Sequence, residues 1–321
     1  MRHTRSVVSS VNDLDLLAEE FSALRGQLTA VAYRLTGTRS DAEDAVQEAW
    51  LRLAGLDQTA RGGIRDLAAW LTTVVGRICL DRLRSAVVRR EQYVGQWLPE
   101  PVVTAVGASP AANPLDTVVR DDEVRMAAMI VLDKLTPEQR VAFVLHDAFS
   151  VPFAEIADIL SCSTAAARQH ASRGRKALAD ADPPPRAALA EQQHLLEKFM
   201  AALFSGDITA VTELLHPEVV LIGDSNGKAR TAVQIIVGRD KIVRFFFGLL
   251  RMYAPDGFAG GRLVLVNGDL GYFVPPHPGD AEHRPLDPHL QTMAIRDGRI
   301  AAIYDLANPD KMAHLLPQRR E

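Results

Sequence analysis

The most informative stretch of the middle of the chain is FAEIADILSCSTAAARQHASRGRKAL, residues 153–178. Phe153, Ile156 and Leu160 have the spacing of one buried helix face, and Ser163 is suited to cap the helix that follows a short turn. The second helix carries small residues inward and polar, basic residues outward. This combination is typical of a helix-turn-helix that binds DNA. An ordinary helical hairpin with a solvated basic face is the alternative interpretation.

The composition limits what the rest of the chain can be. The 321 residues are 47% hydrophobic, which is enough for two or three domains with cores. A formal net charge of −4 means that any nucleic-acid binding must come from local basic patches. The two cysteines lack metal or redox spacing, and no apolar run reaches the length of a membrane helix. We expect a cytoplasmic protein with no metal, no cofactor and no membrane contact, and with residues 1–12 disordered.

The chain divides into helical blocks and a mixed C-terminal domain. Helical periodicity covers residues 13–90 and 117–182, with a Pro-containing linker over 91–116. Three consecutive prolines, starting at Pro183, end the second block. Over 187–316, helices come first and alternating patterns with Asn-Gly and Asp-Gly turns follow, which predicts an α+β domain with an antiparallel sheet. Strands are predicted at 219–223, 231–238, 261–268, 270–276, 290–298 and 299–306.

The helix DAEDAVQEAWLRL, residues 41–53, has an outward acidic face. Acidic residues early in a helix stabilise its N-terminus, so a solvated first turn is one interpretation. A docking surface for a basic partner is the other. The residues of this surface are Asp41, Asp44, Gln47, Glu48 and Leu51.

The next helix, within 65–90, is basic and follows a Gly-Gly loop. Basic residues beside a flexible loop suit single-stranded nucleic acid, where bases can leave the stack. Taken alone, such a face is solvated surface more often than a binding site. The candidate contact residues are Arg65, Trp70, Thr73, Arg77 and Arg84.

Taken in order, these three motifs resemble the extracytoplasmic-function sigma factors of bacterial RNA polymerase along residues 15–180. The resemblance implies two all-α sigma domains, region 2 over 13–90 and region 4 over 117–182. It also implies that the 41–53 helix binds core RNA polymerase at the β′ clamp, with β as a second contact, and that 57–90 melts and reads the promoter −10 element. The implied −35 contacts are Thr164, Arg168, Gln169, His170, Arg173 and Lys176. His170 departs from the family, which commonly has Arg there.

The linker carries YVGQWLPEPV, residues 93–102, with large apolar side chains that a free linker normally lacks. It resembles the linker of sigma factors with a fused C-terminal SnoaL-like domain, as do the loop 224–228 and the near-terminal motif 308–312. The resemblance implies a cone with a curved antiparallel sheet that acts as a built-in regulator, so that no separate anti-sigma protein is expected. The implied regulatory residues are Tyr93, Trp97, Leu98, Pro99, Asp224, Lys228, Asn308 and Asp310.

We therefore predict a non-enzymatic alternative sigma factor whose linker aromatics, foremost Trp97, dock on the cone near 224–228. Packing of these aromatics against their own helical domain is the alternative. Two other functions stay open for the cone: a sensor of an unidentified small molecule, which apolar inner strands allow, and a cyclase or hydrolase. A plain transcriptional repressor would not account for residues 41–90. The enzyme candidates, by residue type alone, are His194, His216, Asp224, Asp269 and His289.

Overall fold

The computed structural model describes residues 3–90, 92–107, 124–258 and 260–315. These form two compact units. Residues up to 88 and residues 131–181 make a helical unit, which contains both predicted sigma regions. Residues 89–107, 124–130 and 182–315 make the second unit, which contains the predicted cone together with the first part of the linker. The end of the predicted linker (108–116), the start of predicted region 4 (117–123) and the last residue of the predicted cone (316) lie outside the described residues.

The first half of the helical unit follows the predicted periodicity, with one difference at its start. Disorder was expected over 1–12, but the first helix begins at His3, because no proline interrupts its polar N-terminal turns. The side chain of Thr38 accepts a hydrogen bond from the backbone N–H of Asp41 and so caps the second helix. The helices are α1 (His3–Thr36), α2 (Arg39–Ala54), α3 (Gln58–Gly62) and α4 (Leu67–Arg90).

The second half of the helical unit contains the predicted helix-turn-helix. Ser161, in the left-handed conformation, ends the first of its two helices, and Ser163 Oγ accepts a hydrogen bond of 3.1 Å from the Ala166 N–H at the start of the second. That second helix packs closely because a Cβ on Gly174 would lie 2.8 Å from the Cβ of Phe143. The elements are α6 (Pro137–Phe143), a π-helical turn (Val144–Ala148), α7 (Phe153–Leu160) and α8 (Thr164–Ala181), preceded by α5 (Met126–Asp133), whose residues up to 130 belong to the second unit.

The second unit is built on one mixed sheet with helices against it. Its helices are α9 (Leu189–Ser205), α10 (Ile208–Leu214), α11 (Arg239–Met252), a 3-10 turn (Pro255–Phe258) and α12 (Pro309–Met312). Its strands are β1 (Val103–Ala105), β2 (Leu215–Asp224), β3 (Ile236–Val237), β4 (Arg262–Val266), β5 (Asp269–Val274), β6 (His289–Arg296) and β7 (Arg299–Leu306). Within the described residues they lie in the order β1-β4-β5-β6-β7-β2-β3.

Three details of this sheet differ from the prediction. β2 and β7 pair in parallel, whereas an antiparallel sheet was expected, because no tight hairpin joins them to fix their direction. The strand predicted at 231–238 is reduced to Ile236–Val237. The linker contributes β1, which pairs antiparallel with β4.

The two faces of the sheet carry separate apolar clusters. One face packs against the helices, with Phe199 and Phe246 meeting Met293 and Ile303 of the strands. The other face is covered by residues from outside the predicted cone: Leu98 of the linker belongs to its cluster together with strand residues and Met312. The linker is therefore part of the core of this unit.

Candidate functional site

The first half of the predicted linker binds at the carboxyl end of β2. The Asp224 side chain is fully buried there and accepts hydrogen bonds from the Tyr93 hydroxyl and, at 2.7 Å, from the Leu98 backbone N–H. Asn308 donates a hydrogen bond of 2.8 Å from Nδ2 to Tyr93 Oη. Burial and the hydrogen bond to Asp224 raise the pKa of Tyr93 above its ordinary value. The phenol therefore keeps its proton and continues to donate to the carboxylate.

Lys311 supplies the positive charge of this cluster. Its side chain is almost buried, and Nζ lies 2.7 Å from Asp224 Oδ2 while also donating to the Leu98 carbonyl. The ammonium lies 4.3 Å from the centroid of the Trp97 ring and 5.2 Å from that of Tyr93. A buried ion pair is favourable only when further hydrogen bonds complete it. Here the Leu98 carbonyl accepts a further hydrogen bond from Lys311, and the rings of Trp97 and Tyr93 lie beside its ammonium group.

Two predicted regulatory residues have partners that the sequence did not specify. The half-buried ring of Trp97 contacts Lys311, which itself pairs with Asp224 of the loop 224–228, and Tyr93 is the aromatic that hydrogen-bonds to Asp224. Lys228 forms an ion pair with Asp310 in which the side chains are 47% and 58% exposed. Such a surface pair contributes about 1 kcal/mol at most. The buried pair is therefore the stronger candidate for holding the linker.

The linker is fixed at two further points beyond this cluster. Leu98 and Pro99 are buried, and Leu98 packs in the outer-face cluster with Phe273. Asn267 then binds the chain at Val102. Its side-chain Oδ1 accepts a hydrogen bond of 2.7 Å from the Val102 N–H, and its backbone N–H donates to the Val102 carbonyl at 2.9 Å. Immediately after Val102 the chain enters β1, which pairs with β4. These contacts make the segment from Tyr93 to β1 an ordered part of the second unit.

The predicted acidic surface on α2 divides into two groups. Arg82 of α4 lies 3.1 Å from Asp41 Oδ1 and 3.7 Å from Glu48 Oε2, so this arginine offsets part of the negative charge. Asp44 is 67% exposed although it lies 3.7 Å from the same arginine. Gln47 and Leu51 are also exposed, Leu51 at 61%. The freely accessible part of the surface is thus small and partly apolar.

Two arginines of the predicted −10 surface contact the second half of the helical unit. Arg77 donates a hydrogen bond of 3.3 Å to the Asp158 carbonyl of α7, and Arg84 lies 3.0 Å from Glu138 of α6. Gly76 permits the approach, because a Cβ there would lie 3.2 Å from the Ile159 side chain. In this arrangement part of the predicted −10 surface is occupied by the protein itself. The other members, Arg65, Trp70 and Thr73, have exposed or half-exposed side chains.

Most of the predicted −35 residues lie on the outer face of α8. Thr164, Gln169, Arg173 and Lys176 are exposed, and Lys176 pairs with Asp180 of the same helix at 2.8 Å. Arg168 is also exposed, and its guanidinium lies 5.7 Å from the centroid of the Phe153 ring, which itself stacks on His146 at 3.9 Å. His170 differs, since its ring is half-buried and Nδ1 is enclosed without a hydrogen-bond partner in the described residues. His170 is thus less accessible than the other −35 candidates, and its contact with DNA stays a prediction.

Comparison with known proteins accounts for this arrangement of helices. Residues 21–88 match the family Sigma-70 region 2, and residues 126–178 match Sigma-70, region 4. The ECF RNA polymerase sigma factor SigJ of Mycobacterium tuberculosis is 52% identical over 298 residues, which cover 91% of the chain and 92% of that relative.

The chain belongs to the ECF RNA polymerase sigma factor family. A probable ECF sigma factor of the same organism, SigI, is 34% identical over 230 residues, which cover 71% of the chain and 75% of that relative. The crystal structure of M. tuberculosis SigJ superposes with a TM-score of 0.77 at 49% identity, covering 92% of the chain and 98% of SigJ. The predicted fold, two helical sigma domains followed by a SnoaL-like α+β cone, is confirmed.

As a member of this family, the chain is an alternative sigma factor that directs transcription, and hence a transcription regulator. None of the helices within the described residues combines the length and the apolar character that a membrane span needs.

The enzyme candidates of this sigma factor do not form one constellation. His194 is exposed, and His216 accepts a hydrogen bond from the Glu218 N–H. Asp269 pairs with Arg186 at 3.0 Å, and its pKa is raised because burial outweighs the nearby positive charge. Asp224 lies under the linker, as described above. Of the five candidates, His289 alone lines the aromatic cavity between the sheet and the helices α9 and α11.

Several residues that organise these sites were missed by the sequence analysis. Lys311 lies inside the near-terminal motif, and the one-turn helix α12, which Asn308 caps, turns it inward. Asn267 and Gly268 form a turn with positive φ values, whereas the sequence analysis placed both residues at the end of the strand predicted at 261–268. Arg82 and Asp305 have no local signal, because their partners are distant in sequence.

Proposed function

We propose that this sigma factor is regulated in cis by the docking of its linker on the fused cone. The observation that carries the proposal is the buried cluster in which Asp224 and Lys311 bind Tyr93 and Leu98 of the linker. In the chain, this linker connects the region 2 and region 4 segments. Docking fixes the linker on the cone from Tyr93 to β1, so it restricts the separations that the two DNA-reading segments can adopt. Binding to RNA polymerase then competes with docking.

Within this proposal, α2 binds core RNA polymerase through Asp44, Gln47 and Leu51. An interface residue needs to be accessible, and these three are exposed. Asp41 and Glu48 belong to the same surface, but their contacts with Arg82 give them the additional role of fixing α2 against α4. We further propose that the sigma factor works in the cytoplasm and that the cone takes the regulatory place of a separate anti-sigma protein.

The DNA-reading surfaces are proposed on α4 and α8. Arg168 and Gln169 lie near the start of α8, where helix-turn-helix proteins contact base edges, and Lys176 lies where a phosphate contact is expected. On α4, Arg77 and Arg84 read the −10 element only after their contacts with Asp158 and Glu138 are released. Both contacts are at the surface, so their loss costs little and promoter DNA can compensate for it.

In vitro transcription tests the regulatory proposal. The full chain is mixed with core RNA polymerase and a pooled library of −35 and −10 sequences, and the transcripts are counted by sequencing. Tyr93→Phe removes the hydroxyl that donates to Asp224 while keeping the ring, so we expect a higher transcript yield. Truncation before Asn308 should raise the yield further, because it also removes Lys311. Val106→Ala is the matched control, since Val106 lies in the same linker beyond the docking cluster and is 53% exposed.

The outcomes separate the two parts of the proposal. If Tyr93→Phe and the truncation give the wild-type yield and promoter choice, linker docking has no regulatory role, although the sigma function stands. If neither the wild type nor any variant directs core polymerase to a subset of the library, the proposed polymerase and promoter contacts are themselves wrong.

A further inference from the structure

The cone encloses a cavity that the regulatory proposal does not use. Its volume is about 270 Å³, and its walls come from α9, α11 and the helix-facing side of the sheet. The lining is mainly aromatic and aliphatic, including Phe199, Phe245 and Tyr272. Ligand sites typically combine such an apolar wall with a few well-placed polar groups.

A polar network of this kind lies in the wall of the cavity. His289 is 8% exposed, and its Nδ1 lies 2.9 Å from Asp305 Oδ1. Thr231 donates a hydrogen bond of 2.5 Å to Asp305 Oδ2, and Gln291 donates one of 3.1 Å to Oδ1. Burial alone would lower the pKa of His289, but the Asp305 carboxylate raises it above its ordinary value. The four side chains all line the cavity.

The second ring nitrogen of His289 is the unused group of this network. Within the described residues, Nε2 has no hydrogen-bond partner, and it is not among the fully enclosed polar atoms. Since the imidazole lines the cavity, Nε2 is accessible from there. It donates a hydrogen bond when the ring is protonated and accepts one when the ring is neutral. A buried polar group left without a partner is unfavourable, so a ligand that satisfies it gains affinity.

We propose that this cavity is a binding site for a small, hydrophobic cyclic molecule with one hydroxyl group, which hydrogen-bonds to His289 Nε2. The cavity holds the volume of about nine waters at roughly 30 Å³ each, which matches a ligand of roughly ten non-hydrogen atoms. A hydroxyl can both donate and accept, so it suits either protonation state of the ring. A carboxylate at His289 would lie near the buried negative charge of Asp305, whereas Arg230 and Arg284, which also line the cavity, favour an anion, so the β-naphthoate titration below decides between the two.

Calorimetric titration of the full-length protein with β-naphthol, naphthalene and β-naphthoate tests this site. We expect β-naphthol to bind with a stoichiometry of one and naphthalene about tenfold more weakly, because naphthalene leaves Nε2 unsatisfied. His289→Gln should remove the preference for β-naphthol while naphthalene still binds. Met200→Trp, which fills the cavity and leaves the polar network intact, should abolish binding of both. His194→Gln is the matched control, since His194 is exposed on the same unit.

Each other result overturns a stated part of the proposal. If β-naphthol does not bind, or binds equally well to Met200→Trp, the cavity is not the site. If β-naphthoate binds more tightly than β-naphthol, the ligand is an anion and the hydroxyl assignment is wrong. If His289→Gln keeps the wild-type preference for β-naphthol, the polar contact lies elsewhere. Should His289→Gln fail to fold, the naphthol–naphthalene comparison and Met200→Trp still decide between these results.

Discussion

Replacing Lys311 by Met isolates the contribution of the buried charge to linker docking. Methionine keeps much of the length and apolar character of the lysine side chain, but Asp224, which is 0% exposed, loses its cation. Removing one partner of a buried ion pair costs about 3–5 kcal/mol. Release of the linker admits water to the carboxylate. We therefore expect most of this cost to appear as local opening of the linker and little as global unfolding.

Hydrogen exchange at two backbone amides measures this opening. The Leu98 N–H is bonded to Asp224, whereas the Val102 N–H is bonded to Asn267. Each tenfold change in an opening equilibrium corresponds to about 1.4 kcal/mol, so exchange at Leu98 should accelerate by about 100-fold or more in Lys311→Met. Exchange at Val102 should accelerate less, because Asn267 and β1 hold it independently.

Lys228→Met is the matched control for this experiment. It removes the same charge from the exposed pair with Asp310, which contributes about 0–1 kcal/mol, and it should leave exchange at Leu98 nearly unchanged. The double variant Asp224→Asn with Lys311→Met should recover part of the protection, since it leaves no unpaired buried charge. The reasoning is refuted if Leu98 exchanges at the wild-type rate in Lys311→Met, or if Lys228→Met accelerates it equally.

Three further predictions concern the helix-turn-helix and the cone. In binding assays on −35 variants, Arg168→Ala should cost about 1–3 kcal/mol at one base pair, whereas Lys176→Ala should weaken all variants evenly and flatten the salt dependence. In chemical denaturation, Gly174→Ala should destabilise by about 1–3 kcal/mol, because its Cβ would lie 2.8 Å from a side chain of the facing helix, whereas Gly62→Ala, with nothing within 4 Å, should not. Burial lowers the pKa of His289, but the Asp305 carboxylate outweighs it and raises this pKa above its ordinary value. The pair should therefore stabilise the fold fully below the unfolded-state pKa of about 6.5, and the free energy of unfolding should decline as the pH rises through the folded-state pKa. His289→Gln should lack this decline.

Local sequence signals predicted the elements whose contacts are local. The helix-turn-helix follows from the apolar spacing of α7 and the cap at Ser163, both of which act within one helical turn. Asp297-Gly298 likewise forms a two-residue hairpin between β6 and β7, because both residues adopt positive φ values of 52° and 67°. The role of the linker was inferred from its aromatic side chains and from a resemblance to known sigma factors. Its contact residues on the cone follow only from the structure.

Contacts between distant segments explain what the sequence did not predict. Val103–Ala105 carries no clear strand pattern, and it becomes β1 because β4 offers it an edge and Asn267 fixes Val102. The parallel direction of β2 depends on its fit beside β7 and has no local determinant. The resemblance predicts His170 as a −35 contact, and its Nδ1 is enclosed in a helix that packs closely on α6 at Gly174, a contact that no signal near His170 predicts.

The linker site and the cavity network lie on neighbouring strands and on opposite faces of the sheet. In the parallel pairing of β2 with β7, Gly223 lies beside Asp305 and Asp224 lies beside Leu306. A Cβ on Gly223 would lie 2.4 Å from Thr231 Oγ1, so this glycine allows the loop after β2 to fold back and bring Thr231 onto Asp305. The loop that begins at the linker contact therefore ends at the cavity. A ligand in the proposed cavity site would contact Thr231, and hence the same loop that begins at Asp224.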